Sequence, residues 1–125
     1  MLLNLKLTIL PPIGENLTRD ADMILIPAID GQIGILKGHI PLITSLQFGL
    51  IVLFDSQKLK LDSFYISGGQ AEVKDDNVKI ICDNFISIKE CNKSFLEKKI
   101  VHLNNPRQSN FYQNIINILY KLGNA

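Results

Sequence analysis

Few side chains in this sequence have the type and spacing that catalysis or metal binding requires. There are two histidines, His39 and His102, far apart along the chain. A zinc site needs three or four ligands at short spacings, and no third ligand accompanies either histidine, so no metal is expected. Cys82 and Cys91 make neither a CxxC pair nor a disulfide framework, and read as idle thiols of a reducing compartment. Ser67 stands beside Gly68 and Gly69, but a nucleophile elbow needs G-x-S-x-G, so Ser67 reads as a strand end. Asp75-Asp76-Asn77 reads as a turn rather than a working carboxylate pair. Gly31, Gly34 and Gly38 lack the GK[ST] ending of a phosphate-binding loop. Tyr65, Tyr112 and Tyr120 are scattered, without the basic and aromatic interleaving that binds single-stranded nucleic acid. The expectation is a non-enzyme with no catalytic residue, no cofactor and no nucleic-acid partner.

The elements that position these residues follow from composition and pattern. A chain of 125 residues, 46% hydrophobic and 20% charged, fits one domain with at most an appendage. It is long enough to bury roughly two-thirds of its unfolded surface. No apolar run reaches the 18 or so residues of a membrane span. The opening MLLNLKLTIL lacks a basic n-region and a small-residue cleavage site, so no signal peptide is expected. The net charge of +1 is unevenly spread: residues 1–88 carry 7 Lys/Arg against 10 Asp/Glu, and residues 89–125 carry 6 against 2. The basic end reads as a separate functional piece.

Up to residue 88 the pattern is that of strands. Leu3, Leu5, Leu7 and Ile9 alternate with Asn4, Lys6 and Thr8, the period of a half-buried strand. Met23–Ile26 is a short apolar run that Pro27 is expected to stop. Three glycines then punctuate residues 27–42, which read as a tight loop with glycines at positive φ. Gly49–Phe54 is another strand. Leu59, Leu61, Phe64 and Ile66 lead into Gly68-Gly69, a hairpin signal. Val78–Cys82 returns after the Asp75-Asp76-Asn77 turn. Turn signals every 8–12 residues, with no room for crossover helices, predict an antiparallel sandwich or barrel.

From residue 92 the period changes to that of helices. Asn92 can cap a helix from Lys93 to about Leu103, with Leu96, Ile100 and Leu103 on one face. Asn104-Asn105-Pro106 reads as a breaker. Ser109 can cap a second helix carrying Phe111, Ile115, Ile118, Leu119 and Leu122 on one face, with Gly123 as its stop. The expected fold is mainly β: an antiparallel sandwich of residues 1–88 followed by a two-helix hairpin of residues 89–125.

Two long motifs carry a resemblance. Pro27, Gly31, Gly34, Gly38, His39, Pro41 and Leu42 match the P-G-x-x-G-x-x-G-x-x-P-G-H-x-P-L signature of the epsilon subunit of bacterial F-type ATP synthase, equivalent to the mitochondrial delta subunit. Ser67-Gly68-Gly69-Gln70-Ala71-Glu72-Val73 resembles that family's S-G-G-x-x-E-V segment. Pro12-Ile13-Gly14-Glu15 resembles its P-x-G-E turn, and Cys82-Asp83 stands where it usually has Ala-Asp. The resemblance covers about residues 3–88. It implies about ten strands and a helical hairpin, in a non-catalytic part of the rotor at the foot of the central stalk. Such a subunit binds the gamma subunit and the c-ring and couples them for proton-driven ATP synthesis. Its C-terminal helices can extend into the alpha/beta catalytic head and inhibit ATP hydrolysis.

Carried over residue by residue, the resemblance makes Asp30 and Gln32 the c-ring contacts, and His39 and Thr44 the gamma contacts. Lys98, Lys99 and Arg107 become candidates for regulation by the tail. Gln32 replaces a usual Glu, which weakens an ionic contact for which Asp30 or a hydrogen bond from Gln32 can compensate. Ala28 and Lys37 replace a usual Gly and Pro. The I/L-D-x-x-R-A pattern with which some members bind ATP is met here by Cys91-Asn92-Lys93-Ser94-Phe95-Leu96, so no ATP site is expected. Placement is expected on the cytoplasmic face of a bacterial inner membrane or the inner face of an organelle membrane, peripheral through the complex. The alternative is a stand-alone ligand- or protein-binding β-sandwich. With 7% aromatic residues and no Trp, it would have a poorly supplied pocket.

Overall fold

A computed structural model describes residues 3–101 and 105–122. His102, Leu103, Asn104 and Gly123, all named in the sequence reading, lie outside the described residues. The chain divides into two compact units, Met1–Phe85 and Ile86–Ala125.

Ten strands run in chain order: β1 Leu5–Leu10, β2 Leu17–Ala21, β3 Met23–Ala28, β4 Gly31–Leu36, β5 Leu42–Leu46, β6 Gly49–Phe54, β7 Lys60–Ile66, β8 Gly69–Lys74, β9 Asn77–Ile81 and β10 Phe85–Ser87. They form one curled sheet in the order β10-β7-β6-β3-β5-β8-β9-β1-β2, with β4 added to β3. The expected alternation is present. Leu5, Leu7 and Ile9 of β1, Val78 and Ile80 of β9, and Ala71 and Val73 of β8 are buried in one core with Ile24, Ile26, Ile51, Leu53, Phe64 and Ile66. The residues between them, such as Lys6, Glu72 and Lys79, are exposed. Strand β2 was not foreseen, because in LTRDA only Ala21 is buried.

The pairing of β1 with β9 departs from the antiparallel expectation: the two run parallel, with Leu7 opposite Val78 and Ile9 opposite Ile80. No crossover helix is needed, because the rest of the sheet makes the connection.

Pro27 does not end its strand. It lies inside β3, opposite Gln32 of β4. On the other side of β3 the neighbour is β6 at Met23–Leu25 and β5 at Ala28. Pro27 thus falls where one neighbour gives way to the next, and its missing N–H leaves no ladder bond unmade. Its carbonyl accepts the Gln47 N–H at 2.9 Å. Residues 27–42 are not one loop either. Gly31 and Gly38 have φ of 133° and 81° as expected of turns, but between them runs β4. Gly34 pairs with Leu25, and a Cβ there would touch the Leu25 side chain at 3.4 Å.

Gly68-Gly69 is not a hairpin turn. Strand β7 before it pairs with β6, and β8 after it pairs with β5 and β9. The two glycines carry the chain from one part of the curled sheet to another, at φ of 106° and 144°. A Cβ at Gly69 would overlap the Ile81 carbonyl oxygen. Ser67 does end a strand: its N–H donates to the Asn84 carbonyl at 3.0 Å, and its Oγ accepts the Asn84 N–H at 3.1 Å. Arg19 of β2 reaches Asp62 of β7 at 3.5 Å and lies over the Phe64 ring, linking strands far apart in the sheet order.

In the second unit, a 3-10 turn at Ile88–Glu90 precedes α1, Lys93–Val101. Asn92 caps α1 as expected, its Oδ1 accepting the Phe95 N–H at 2.8 Å. Helix α2 spans Pro106–Lys121 and is capped by Asn105, not by Ser109. The Asn105 side chain accepts the N–H groups of Arg107 and Gln108 at 2.9 and 3.4 Å. Asn-Pro starts the helix here, since Pro at the first position leaves unmade only a bond the helix lacks anyway. Phe111 and Ile115 are buried as expected, and Tyr112 and Ile116 join them. Ile118 and Leu119 are half-buried, and Leu122 is 66% exposed.

Replacing Gly69 with Ala should cost roughly 3 kcal/mol or more, because backbone rather than a flexible side chain must move. Gly14→Ala also has a positive φ, of 104°, but enters open space and should cost about 1 kcal/mol. Urea unfolding of both variants checks this, and equal midpoints would disprove it.

Candidate functional site

The motif residues form two exposed regions joined by β4. The first is the β3–β4 hairpin. Ala28 faces Gly31 across a two-residue turn of Ile29 and Asp30. Ile29 is 58% exposed, and Asp30 and Gln32 are exposed with it. The base of this hairpin is pinned. The Ile29 N–H donates to the Ser45 carbonyl at 3.1 Å, and Gln47 Nε2 donates to the Ala28 carbonyl at 3.0 Å. Gly49 admits Pro27 against its backbone, since a Cβ there would lie 2.8 Å from the Pro27 Cβ.

The second region is the β4–β5 loop, residues 37–41. The His39 N–H donates to the Leu36 carbonyl at 3.0 Å, turning the chain. The His39 Nδ1 lies 2.7 Å from the Ile40 carbonyl oxygen. A carbonyl only accepts, so this contact places a proton on Nδ1. The Gly38 N–H donates to Asp76 Oδ1 at 2.7 Å. Ile40 is 74% exposed.

Asp30 and Gln32 therefore sit at one end of β4 and His39 beyond the other. Five strand steps of about 3.3 Å separate Gly31 from Leu36 along the chain. Thr44 lies on β5, half-buried on the face it shares with Leu42 and Leu46, opposite the buried Ala71. Its hydroxyl donates to the Ser45 carbonyl at 3.4 Å. The outward neighbour is Ile43, 67% exposed. Sequence reasoning missed Ile40 and Ile43 as surface groups. The one signal was phase: Ile43 falls between Leu42 and Leu46 in a period of two.

Of the tail candidates, Lys98, Lys99 and Arg107 are all exposed. Lys99 Nζ lies 5.5 Å from the Phe95 ring centroid and 5.6 Å from that of Tyr112, so it bridges α1 to α2. Lys93 Nζ stands 4.0 Å over the Tyr120 ring, and a hydrogen bond to Tyr120 raises its pKa. Arg107 lies in the first turn of α2, where the helix dipole disfavours a cation.

The cysteines are poor nucleophiles. Burial, with the charge of Asp83, pushes the Cys82 thiol from 9.0 up to about 12. Burial and Glu90 push Cys91 up to about 11. No group of three potential metal ligands stands together among the described residues.

A β-sheet body that presents two pinned, isoleucine-bearing loops, followed by a pair of helices, defines an interaction subunit. Comparison with known proteins names the family. A sequence model described as ATP synthase, Delta/Epsilon chain, beta-sandwich domain matches residues 4–88. The ATP synthase epsilon chain of Granulibacter bethesdensis is 34% identical over 95 residues, covering 76% of this chain and 70% of that one. That of Rickettsia bellii is 30% identical over 101 residues, covering 79% and 93%. A chain in the cryo-EM structure of Euglena gracilis mitochondrial ATP synthase with OSCP, F1 and c-ring shares the fold. Its TM-score is 0.65 at 22% identity, over 96% of this chain and 79% of that one. The chain belongs to the delta/epsilon family of ATP synthase subunits, and is a non-catalytic accessory subunit.

In the folded protein at pH 8, Cys82 should resist maleimide and Cys91 should react slowly, both far below a free thiol. The unfolded thiol ionises above about 9 and the folded Cys82 only toward 12. The unfolded state therefore loses the proton first, and stability should fall as pH rises between these values. Rapid labelling of native Cys82 would contradict this.

Proposed function

We propose that this subunit works in the central stalk, where its sandwich couples the gamma subunit to the c-ring during proton-driven ATP synthesis. The observation that carries this reading is the pair of pinned, exposed loops at the two ends of β4. Exposed apolar side chains on fixed backbone are what a permanent docking surface needs, since little ordering entropy is then lost on binding. On this reading Ile40 and Ile43, with His39 beside them and Thr44 behind Ile43, meet gamma. Asp30 and Gln32, at the other end of β4, meet the c-ring. The central-stalk reading is supported by a shared fold: a chain in a Tetrahymena thermophila mitochondrial central stalk and c-ring structure is similar at a TM-score of 0.60 and 17% identity, over 97% of each chain.

Residues 89–125 are the regulatory piece in this proposal. Helices this short are marginal alone; here each is capped, Leu96, Phe111, Tyr112, Ile115 and Ile116 are buried, and two cation–π contacts join α1 to α2. A net +4, from 6 Lys/Arg against 2 Glu, favours an acidic surface on the catalytic head at close approach, with Lys98, Lys99 and Arg107 as the contacts. No described helix is long and apolar enough to cross a membrane. The subunit is held on the cytoplasmic face of a bacterial inner membrane through its complex.

Titration of the full chain against its gamma subunit tests the docking assignment. His39→Ala with Ile40→Asp should weaken binding about 10- to 100-fold, the value of one buried isoleucine. Asp30→Ala with Gln32→Ala should leave gamma affinity unchanged while reducing retention on the c-ring. Reversing Lys98, Lys99 and Arg107 to Glu should raise ATP hydrolysis by the assembled complex. Wild-type affinity in the His39/Ile40 variant would sink the assignment.

A further inference from the structure

Asp76 is the second residue of the two-residue turn between β8 and β9, where Lys74 pairs with Asn77. Asp75 and Asp76 have φ of 51° and 63°, so both are left-handed, as the primed hairpin turns require. Asp75 stays within the turn: its carbonyl accepts Asn77 Nδ2 at 2.9 Å. Asp76 reaches out in two directions. Its carbonyl accepts the Lys6 N–H of β1 at 3.0 Å. Its carboxylate accepts the Gly38 N–H at 2.7 Å, the short distance of a charge-assisted bond.

Gly38 is in the loop that carries His39 and Ile40. Among the described residues, the other hydrogen bonds of that loop are local. The His39 N–H turns back to Leu36, and the His39 ring contacts the adjacent Ile40 carbonyl. Local bonds set the shape of a loop but not its place over the sheet. The Asp76 carboxylate is the bond that ties residues 37–41 to a strand turn nearly forty residues further along.

We propose that Asp76 is a positioning residue for the docking loop: by holding Gly38 it fixes where His39 and Ile40 are presented to the partner subunit. The inference rests on the docking role proposed for that loop. A tethered loop arrives ordered, so association loses less conformational entropy. An untethered loop must find the bound path at each encounter.

Three variants of the full chain separate the tether from the turn. Asp76→Ala removes the carboxylate and adds left-handed strain. Asp75→Ala adds the same kind of strain and keeps the tether. Asp76→Asn keeps an acceptor oxygen and a residue that tolerates positive φ. Amide exchange at Gly38 reads the tether without any partner. Association with the gamma subunit, followed by stopped flow, reads its consequence. Asp76→Ala should lose about tenfold in Gly38 protection and about tenfold in association rate. Asp75→Ala and Asp76→Asn should stay within about twofold of wild type in both, the scatter of a surface change. Lost protection with an unchanged association rate would overturn the positioning role and leave the docking assignment standing. Equal loss in Asp75→Ala would make the effect one of turn strain and overturn it as well. Failure of the wild-type chain to bind gamma would overturn the docking assignment and this inference together.

Discussion

The contact on which the rest of the structure depends is the one at Gly69, where two backbones meet with no room for a side chain. Strand β7 belongs with β6 and strand β8 with β5 and β9, so the chain must change partners between residues 66 and 69. It does so against the Ile81 carbonyl, while Ser67 and Asn84 bind each other's backbone beside it. Pro27 and Gly49 make a second close approach where β3 changes neighbour. Those two corners let one continuous sheet fold back on a single core. The loops at the ends of β4 take their positions from that core.

The two units divide stiffness and looseness between them. A close-packed core resists shear, because moving one buried side chain disturbs all its neighbours. That suits a body transmitting torque. The helical unit buries fewer side chains, Leu96, Phe111, Tyr112, Ile115 and Ile116 in its two α-helices. Its inter-helix lysine contacts, Lys93 with Tyr120 and Lys99 with Tyr112, lie near the surface. A unit with a smaller core has fewer buried contacts to break when it opens or rearranges.

Much of this was legible in the sequence, for identifiable reasons. Leu5, Leu7 and Ile9 announced β1 because one face of it is dry and the other wet. Asn92 announced α1 because a cap is a local event. What escaped was set by distant residues. Pro27 reads as a strand end until it is seen that the neighbouring strand changes beside it. Gly68-Gly69 advertises positive φ, but a sequence does not say whether the chain turns back or passes on. Asn105-Pro106 looks the same as a stop and as a start. Isoleucines 40 and 43 look like core until the core is found to be full without them. At the site, the glycine spacing announced turns at Gly31 and Gly38, but the strand between them and the tether from Asp76 to Gly38 involve residues that no local pattern connects.

The parallel pairing of β1 with β9 has a consequence for biosynthesis. During synthesis β1 finds one of its two neighbours only when residues 77–81 have followed it out. Until then β1 has just β2 beside it, and its apolar face has no complete core to enter. Long-range pairing of this kind makes folding late and comparatively slow. A partner that met β1 before residues 77–81 had joined it would meet an unfinished sheet, so docking by this unit must wait for β9.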